Sequence, residues 1–166
     1  MALVDKGVLN LDEKVASILP AFAANGKAEV TIRNLLVHDS GLAAFRSYSK
    51  TLTDVSDVQA AILAEPLLTS IGAKTVYSDL GLITLGLVLE KLGNDRLDRL
   101  AKSLVFEKFA ELEDHPCFNP SDRKLCAPTE PVEDWRRKIR SLRNLPAEEP
   151  WIQGEVHDPN AFLLGG

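Results

Sequence analysis

A phenol, a hydroxyl and a carboxylate stand in a row at Tyr77-Ser78-Asp79, where a polar turn beginning at Lys74 runs into the most apolar stretch of the chain. A phenol and a carboxylate are groups that active sites use, provided a rigid element holds them in place. Leu80 to Leu89 contains no charged residue, and Leu80, Leu82, Ile83, Leu85, Leu87, Val88 and Leu89 cover nearly every face of a helix. That pattern predicts a helix buried all round. Ser78 or Tyr77 then lies at its N-terminus, where free backbone N–H groups and the positive dipole end favour oxygen acceptors, and Asp79 falls in the first turn. Two readings follow. One is a capped core helix with an amphipathic tyrosine, the commoner arrangement; the other is a catalytic pair, Tyr77 and Asp79, pre-positioned at the end of a rigid element, with Ser78 a further candidate.

Other chemistry-bearing residues are scattered. Ser47-Tyr48-Ser49-Lys50 has the letters of a Ser-x-x-Lys pair, but its flanks, Phe45-Arg46 and Thr51-Leu52-Thr53, supply no long apolar helix to desolvate the lysine. A solvated loop is expected there. His157-Asp158 is a candidate base and acid, although adjacent residues do not simply adopt the geometry in which an acid orients a base, so His157 also reads as a loop-ordering residue. His38 ends a helix and can meet its last carbonyls or stand behind a pocket. Cys117 and Cys126 can be free thiols, can pair, or can bind metal with His115, but without a CxxC spacing the metal signature is poor. No cofactor is implied.

The elements that must position these groups are mostly helices. A short helix over Glu13–Leu19 stops at Pro20. Thr31 caps a helix over Ile32–His38 with Leu35 and Leu36 turned inward, and Gly41 suits the left-handed position after it. Ser56 and Gln59 have the capping-box spacing and start a helix that Pro66 stops. Lys91, Gly93 and Asn94 close the apolar helix, and the next one carries Leu97, Leu100, Leu104 and Val105 on one side. Beyond Phe109, Pro116, Pro120, Pro128, Pro131, Pro146, Pro150 and Pro159 preclude long helices across them. Arg136, Arg137, Lys138, Arg140 and Arg143 read as one solvated helix face, with an anion site as the minor alternative.

Three stretches resemble a known family. Val30-Thr31-Ile32-Arg33-Asn34-Leu35-Leu36-Val37-His38-Asp39-Ser40-Gly41-Leu42, Tyr77-Ser78-Asp79-Leu80-Gly81, and Gly154-Glu155-Val156-His157-Asp158-Pro159-Asn160-Ala161 followed by Leu164-Gly165-Gly166 are similar to segments of the β-lactamase-related serine hydrolases. That group contains class C β-lactamases, DD-peptidases and esterases. Leu125-Cys126-Ala127-Pro128-Thr129-Glu130 resembles an extended run of the same family. The resemblance implies that Tyr77 belongs to the family's Tyr-x-Asn motif, with Asp79 where many relatives have Asn. It implies a small-molecule acyl substrate. The family's Ser-x-x-Lys nucleophile is expected upstream of Met1, and its Lys-Thr-Gly or His-x-Gly strand downstream of Gly166. Ser47-x-x-Lys50 follows the histidine segment, whereas the family nucleophile precedes it.

The expectation is therefore mainly α: the helical lobe of a β-lactamase/transpeptidase-like fold, with a Pro-rich irregular C-terminal part and little or no sheet of its own. Residues 1–166 read as one partial domain, helical over 1–110 and extended over 111–166. At 166 residues, 45% hydrophobic and 26% charged, the chain is long enough for a globular core. A net charge of −5 argues against general nucleic-acid binding, which needs a basic face. No run reaches a membrane span, and the first residues show no signal peptide, so a cytoplasmic product is expected as written. The apolar ends Met1-Ala2-Leu3-Val4 and Phe162-Leu163-Leu164 suggest self-association. The chain reads as a fragment of a serine hydrolase inactive alone; the alternative is a helical protein-binding module that catalyses nothing.

Overall fold

The computed structural model describes residues 1–109 and 116–165, without the side chains of Ser49 and Leu142. His115, one of the metal-ligand candidates, lies outside the described residues. The chain is mainly α and divides into two compact units, Met1–Arg46 with Ala60–Pro116, and Ser47–Gln59 with Cys117–Gly166.

In the first unit α1 (Ala2–Asp5), α2 (Val15–Ile18) and α3 (Ile32–Leu36) are short, and backbone bonds between their flanks hold them together. Val15 N donates to Val30 O at 2.9 Å, Ile32 N to Glu13 O at 3.0 Å and Arg33 N to Leu11 O at 2.8 Å. Thr31 caps α3 as its sequence predicts: its hydroxyl accepts from Asn34 N, and Asn34 Oδ1 accepts from Thr31 N at 2.9 Å, a reciprocal capping box. The helix stops two residues short of the expected end because His38 is left-handed, at φ 61°. Leu35 is buried but Leu36 is exposed, since neighbours on a helix point about 100° apart and this face is narrow.

The helix α4 (Val55–Ala64) contains the unit boundary. Its start corrects the expected cap: Asp54 Oδ1 accepts from Ser56 N at 2.7 Å, so Asp54 rather than Ser56 serves the free amides. Next come α5 (Asp79–Gly93), ended by left-handed Asn94, and α6 (Leu97–Leu104). The α5 helix packs against α2, α3 and α6. It is not buried all round. Leu80, Gly81, Thr84, Leu85 and Val88 form one buried stripe, while Leu82 is exposed and Ile83, Leu87 and Leu89 are half-buried. An apolar count measures what a helix could bury, whereas neighbours on α2, α3 and α6 decide what it does bury. At Gly93 a side chain would meet Leu100 of α6 at 2.6 Å, so glycine there permits the close approach of the two helices. The core of this unit gathers Leu3, Leu9, Val15, Ile18, Phe22, Val30, Ile32, Leu35, Leu42, Leu85 and Val88. Lys27 is also buried, donating to Ala24 O and Glu65 O at 2.8 and 2.6 Å, and burial lowers its pKa.

The second unit has a two-stranded antiparallel sheet, β1 (Pro128–Pro131) with β2 (Trp151–Gln153), α7 (Asp134–Leu142) between them, and α8 (Pro159–Leu163) capped by Asp158. The expected solvated arginine face is half wrong. Arg136 and Arg140 are buried, because α7 turns them toward Glu155 and a row of carbonyls. Arg140 Nη2 lies 2.7 Å from Glu155 Oε1, Arg136 Nη1 lies 3.3 Å from Glu155 Oε2, and Arg123 also pairs with Glu155. Arg140 further donates to Glu149 O and Trp151 O, and Arg136 to Val156 O and His157 O. Desolvation, followed by the charge of Arg140, pushes Arg136 down to about 10.

The apolar ends are folded in: Leu3, Phe162 and Leu163 are buried, leaving Met1 exposed. Cys117 and Cys126 are free thiols. Among the described residues no cluster of three His, Cys, Asp or Glu side chains is placed to hold a metal ion, and no helix is long and apolar enough to cross a membrane.

Candidate functional site

The site is built by two loops of the first unit, 38–44 after α3 and 68–79 before α5, which lie against each other through backbone bonds. Asp39 O accepts from Gly72 N at 2.8 Å, Gly41 O from Leu68 N at 2.8 Å, His38 O from Val76 N at 2.8 Å and Ala44 O from Asp79 N at 2.9 Å. Asn34 Nδ2, already in the α3 cap, donates to Asp39 Oδ1 at 2.8 Å. The helix cap and the loop that follows it are thus one hydrogen-bonded unit.

Gly41 is the tightest point, and not for the capping reason its sequence position suggests. The left-handed residue after α3 is His38, while Gly41, at φ +86°, lies where an added Cβ would be 2.3 Å from Thr69 O. Gly41→Ala is expected to lose at least about 2 kcal/mol, from left-handed strain alone before the clash is counted. In a chain of this size that lowers Tm by roughly 4–8 °C, which thermal melting of the two proteins measures.

The three consecutive candidates separate sharply. Ser78 is the N-cap of α5 and is buried: its hydroxyl accepts from Gly81 N at 3.1 Å and donates to Ala43 O at 2.7 Å. Asp79 is half-buried in the first turn, where a carboxylate meets the positive helix end. Tyr77 projects outward with 65% of its surface exposed, although the peptide groups around it are bonded. A fixed backbone with an open phenol is suited to proton transfer with a bound molecule, because the hydroxyl is presented and little ordering remains.

His38, expected either to meet the last carbonyls of its helix or to stand behind a pocket, lies just past α3 in the left-handed region. Its ring lies against that of Tyr77, centroids 4.7 Å apart and planes tilted by 40°, and its Nδ1 accepts from Ser78 N at 3.2 Å. Ala43 and Ala44 were missed entirely, because they act through carbonyl oxygens that carry no side-chain signal. The remaining candidates lie in the second unit. His157 Nε2 is 3.4 Å from Glu130 Oε1, both side chains being half or more exposed, and Asp158 Oδ1 caps α8 by accepting from Ala161 N at 2.6 Å. Ser47 and Lys50 are exposed at a 3-10 turn, Tyr48–Lys50.

Comparison with known proteins gives a consistent result. The family model described as Beta-lactamase matches residues 1–138. The chain is 32% identical to the N-acetylmuramyl-L-alanine amidase of Bacillus subtilis (strain 168) over 177 aligned residues, covering 96% of this chain and 39% of that protein. The chain spans about two fifths of the length of the curated relatives it matches. Among solved structures, EstCE1, a hydrolase with promiscuous acyltransferase activity, superposes with a TM-score of 0.64 at 24% identity, over 80% of this chain and 41% of that one. A class C beta-lactamase mutant superposes at 0.57 and 20% identity, over 66% and 30%. At such identities these likenesses show the fold.

Proposed function

The chain belongs to the β-lactamase family, and from that membership we propose that residues 1–166 supply the tyrosine part of a serine acyl-transfer centre whose serine and lysine come from a segment outside them. The observation that carries this reading is the exposed Tyr77 phenol on a loop whose backbone is bonded on both sides. In the reaction the serine oxygen adds to an ester, amide or lactam carbonyl, and its proton passes to Tyr77 as its phenolate, the form that the lysine's positive charge stabilises. That proton then goes to the departing alcohol or amine, and water hydrolyses the acyl-serine. Asp79 holds the lysine or a polar group of the substrate, and Ser78 keeps the turn closed beneath them.

The test supplies flanking segments from an intact relative on both sides of residues 1–166. The completed protein labels covalently with fluorescent penicillin or a fluorophosphonate probe, and residues 1–166 alone do not. Labelling of the chain alone that disappears in Ser47→Ala would overturn the reading and make Ser47-x-x-Lys50 the nucleophile pair.

One feature favours a second reading, a helical module that binds protein and catalyses nothing. No residue of α6 is buried, its Leu97, Leu100 and Leu104 are only half-covered, and Val105 and Phe109 beyond it are exposed. If the completed protein folds and never labels, the acyl-transfer reading falls and this second reading is the one left to test.

A further inference from the structure

The backbone amides of the two residues that flank Tyr77, Val76 and Ser78, are both held by one residue. His38 O accepts from Val76 N at 2.8 Å, and His38 Nδ1 accepts from Ser78 N at 3.2 Å. The imidazole also lies against the phenol ring, centroids 4.7 Å apart. A side-chain acceptor, a main-chain acceptor and a ring of a single residue therefore meet Tyr77 and its two neighbours.

This convergence depends on an uncommon backbone. His38 is at φ 61°, a conformation that only a few per cent of residues other than glycine adopt, with Asn, Asp and His enriched among them. If closing α3 were the whole task, glycine would do it without steric cost. A histidine there adds two things that glycine lacks, the Nδ1 acceptor and the ring. Both are directed at the Tyr77 loop.

We infer that His38 is the positioning residue of Tyr77: its carbonyl oxygen and Nδ1 fix the amides of the neighbouring residues Val76 and Ser78, and its ring sets the direction of the phenol. This rests on the reading of Tyr77 as the proton-transfer group. For Nδ1 to accept from Ser78 N it must carry no proton, so the neutral ring is the tautomer protonated at Nε2. A phenol exposed over 65% of its surface would otherwise sample several rotamers, and catalysis needs it in one.

The test is made on residues 1–166 by nuclear magnetic resonance, with two variants that both tolerate the left-handed backbone. His38→Gly removes acceptor and ring. His38→Asn removes the ring but places an amide oxygen near the position of Nδ1. In the parent chain the imidazole nitrogen shifts should show Nδ1 unprotonated, the Ser78 amide should be protected from exchange, and cross-relaxation should connect the His38 and Tyr77 rings. His38→Gly should speed exchange of the Ser78 amide by about tenfold, as expected for one lost hydrogen bond, and shift the Tyr77 ring resonances. His38→Asn should restore the amide protection but not the ring shifts. A residue that only closes α3 predicts no change in either signal with glycine, and that result overturns the inference. If His38→Gly does not fold, the parent chain decides alone: a proton on Nδ1, or an unprotected Ser78 amide, overturns it. These signals are independent of turnover, so a completed enzyme indifferent to Tyr77→Phe would defeat the proposed function and leave the geometry of His38 measured.

Discussion

In a protein completed on both sides, Tyr77→Phe is expected to slow acylation by fluorescent penicillin by about 10²–10⁴-fold, the usual worth of a positioned acid or base. The substitution deletes one oxygen. The ring remains, so its contact with His38 is kept, and because the side chain is 65% exposed no buried partner is left unsatisfied. Folding stability should therefore change by less than about 0.5 kcal/mol, the range of surface substitutions away from special features. The loss should fall on the rate of acylation at saturating probe rather than on the concentration giving half-saturation, because a proton-transfer group acts in the transition state. Stopped-flow labelling of the two proteins at several probe concentrations separates these quantities. Equal rates would remove Tyr77 from the mechanism, and a raised half-saturation with an unchanged limiting rate would make it a binding residue.

The second large effect is in the other unit and concerns stability. Glu155→Gln should destabilise that unit by about 3–5 kcal/mol, the range for breaking a buried ion pair. The carboxylate side chain is 4% exposed and lies among Arg123, Arg136 and Arg140, the last two being 1% and 0% exposed. Glutamine keeps the shape and removes the charge that offsets three guanidiniums, which then repel one another with little water to screen them. Burial already lowers the pKa of Arg136, Arg140 and Arg143, a sign that their charges are held at a cost. Both tryptophans of the chain, Trp135 and Trp151, belong to this unit, so their fluorescence during urea unfolding follows it directly. A urea midpoint unchanged by Glu155→Gln would show that the backbone carbonyls alone hold the arginines.

What could be read from the residues beforehand was what they do locally. Thr31 caps α3, Ser78 caps α5, Pro66 follows the end of α4 and Asn94 closes α5, since each depends on groups within a few positions of itself. Misreadings came where a distant partner decides. Leu82 and Leu36 are apolar yet exposed among the described residues, and Arg136 and Arg140 are charged but meet Glu155, fifteen and more positions away. A sharper reading of α7 was available: Arg136, Ile139, Arg140 and Arg143 share one face at helical spacing, and an isoleucine in that stripe marks it as the inward one. At the candidate site, the placement of Ser78 and Asp79 at the start of α5 was legible from their side chains. The partnership with His38 was not, because it joins positions 40 residues apart through a ring nitrogen and two backbone amides.

The pairing of the 38–44 and 68–79 loops has an evolutionary consequence. Its acceptors are largely main-chain oxygens, those of His38, Asp39, Gly41, Ala43 and Ala44, so most of its geometry is encoded in the path of the backbone rather than in residue identity. Ala44 is exposed and can drift to almost any residue without moving Asp79, whereas buried Ala43 can drift only among small ones. Gly41 alone has no substitute, since every other side chain begins with the atom that Thr69 excludes. A lineage can in this way rewrite most letters of these two loops while keeping their pairing.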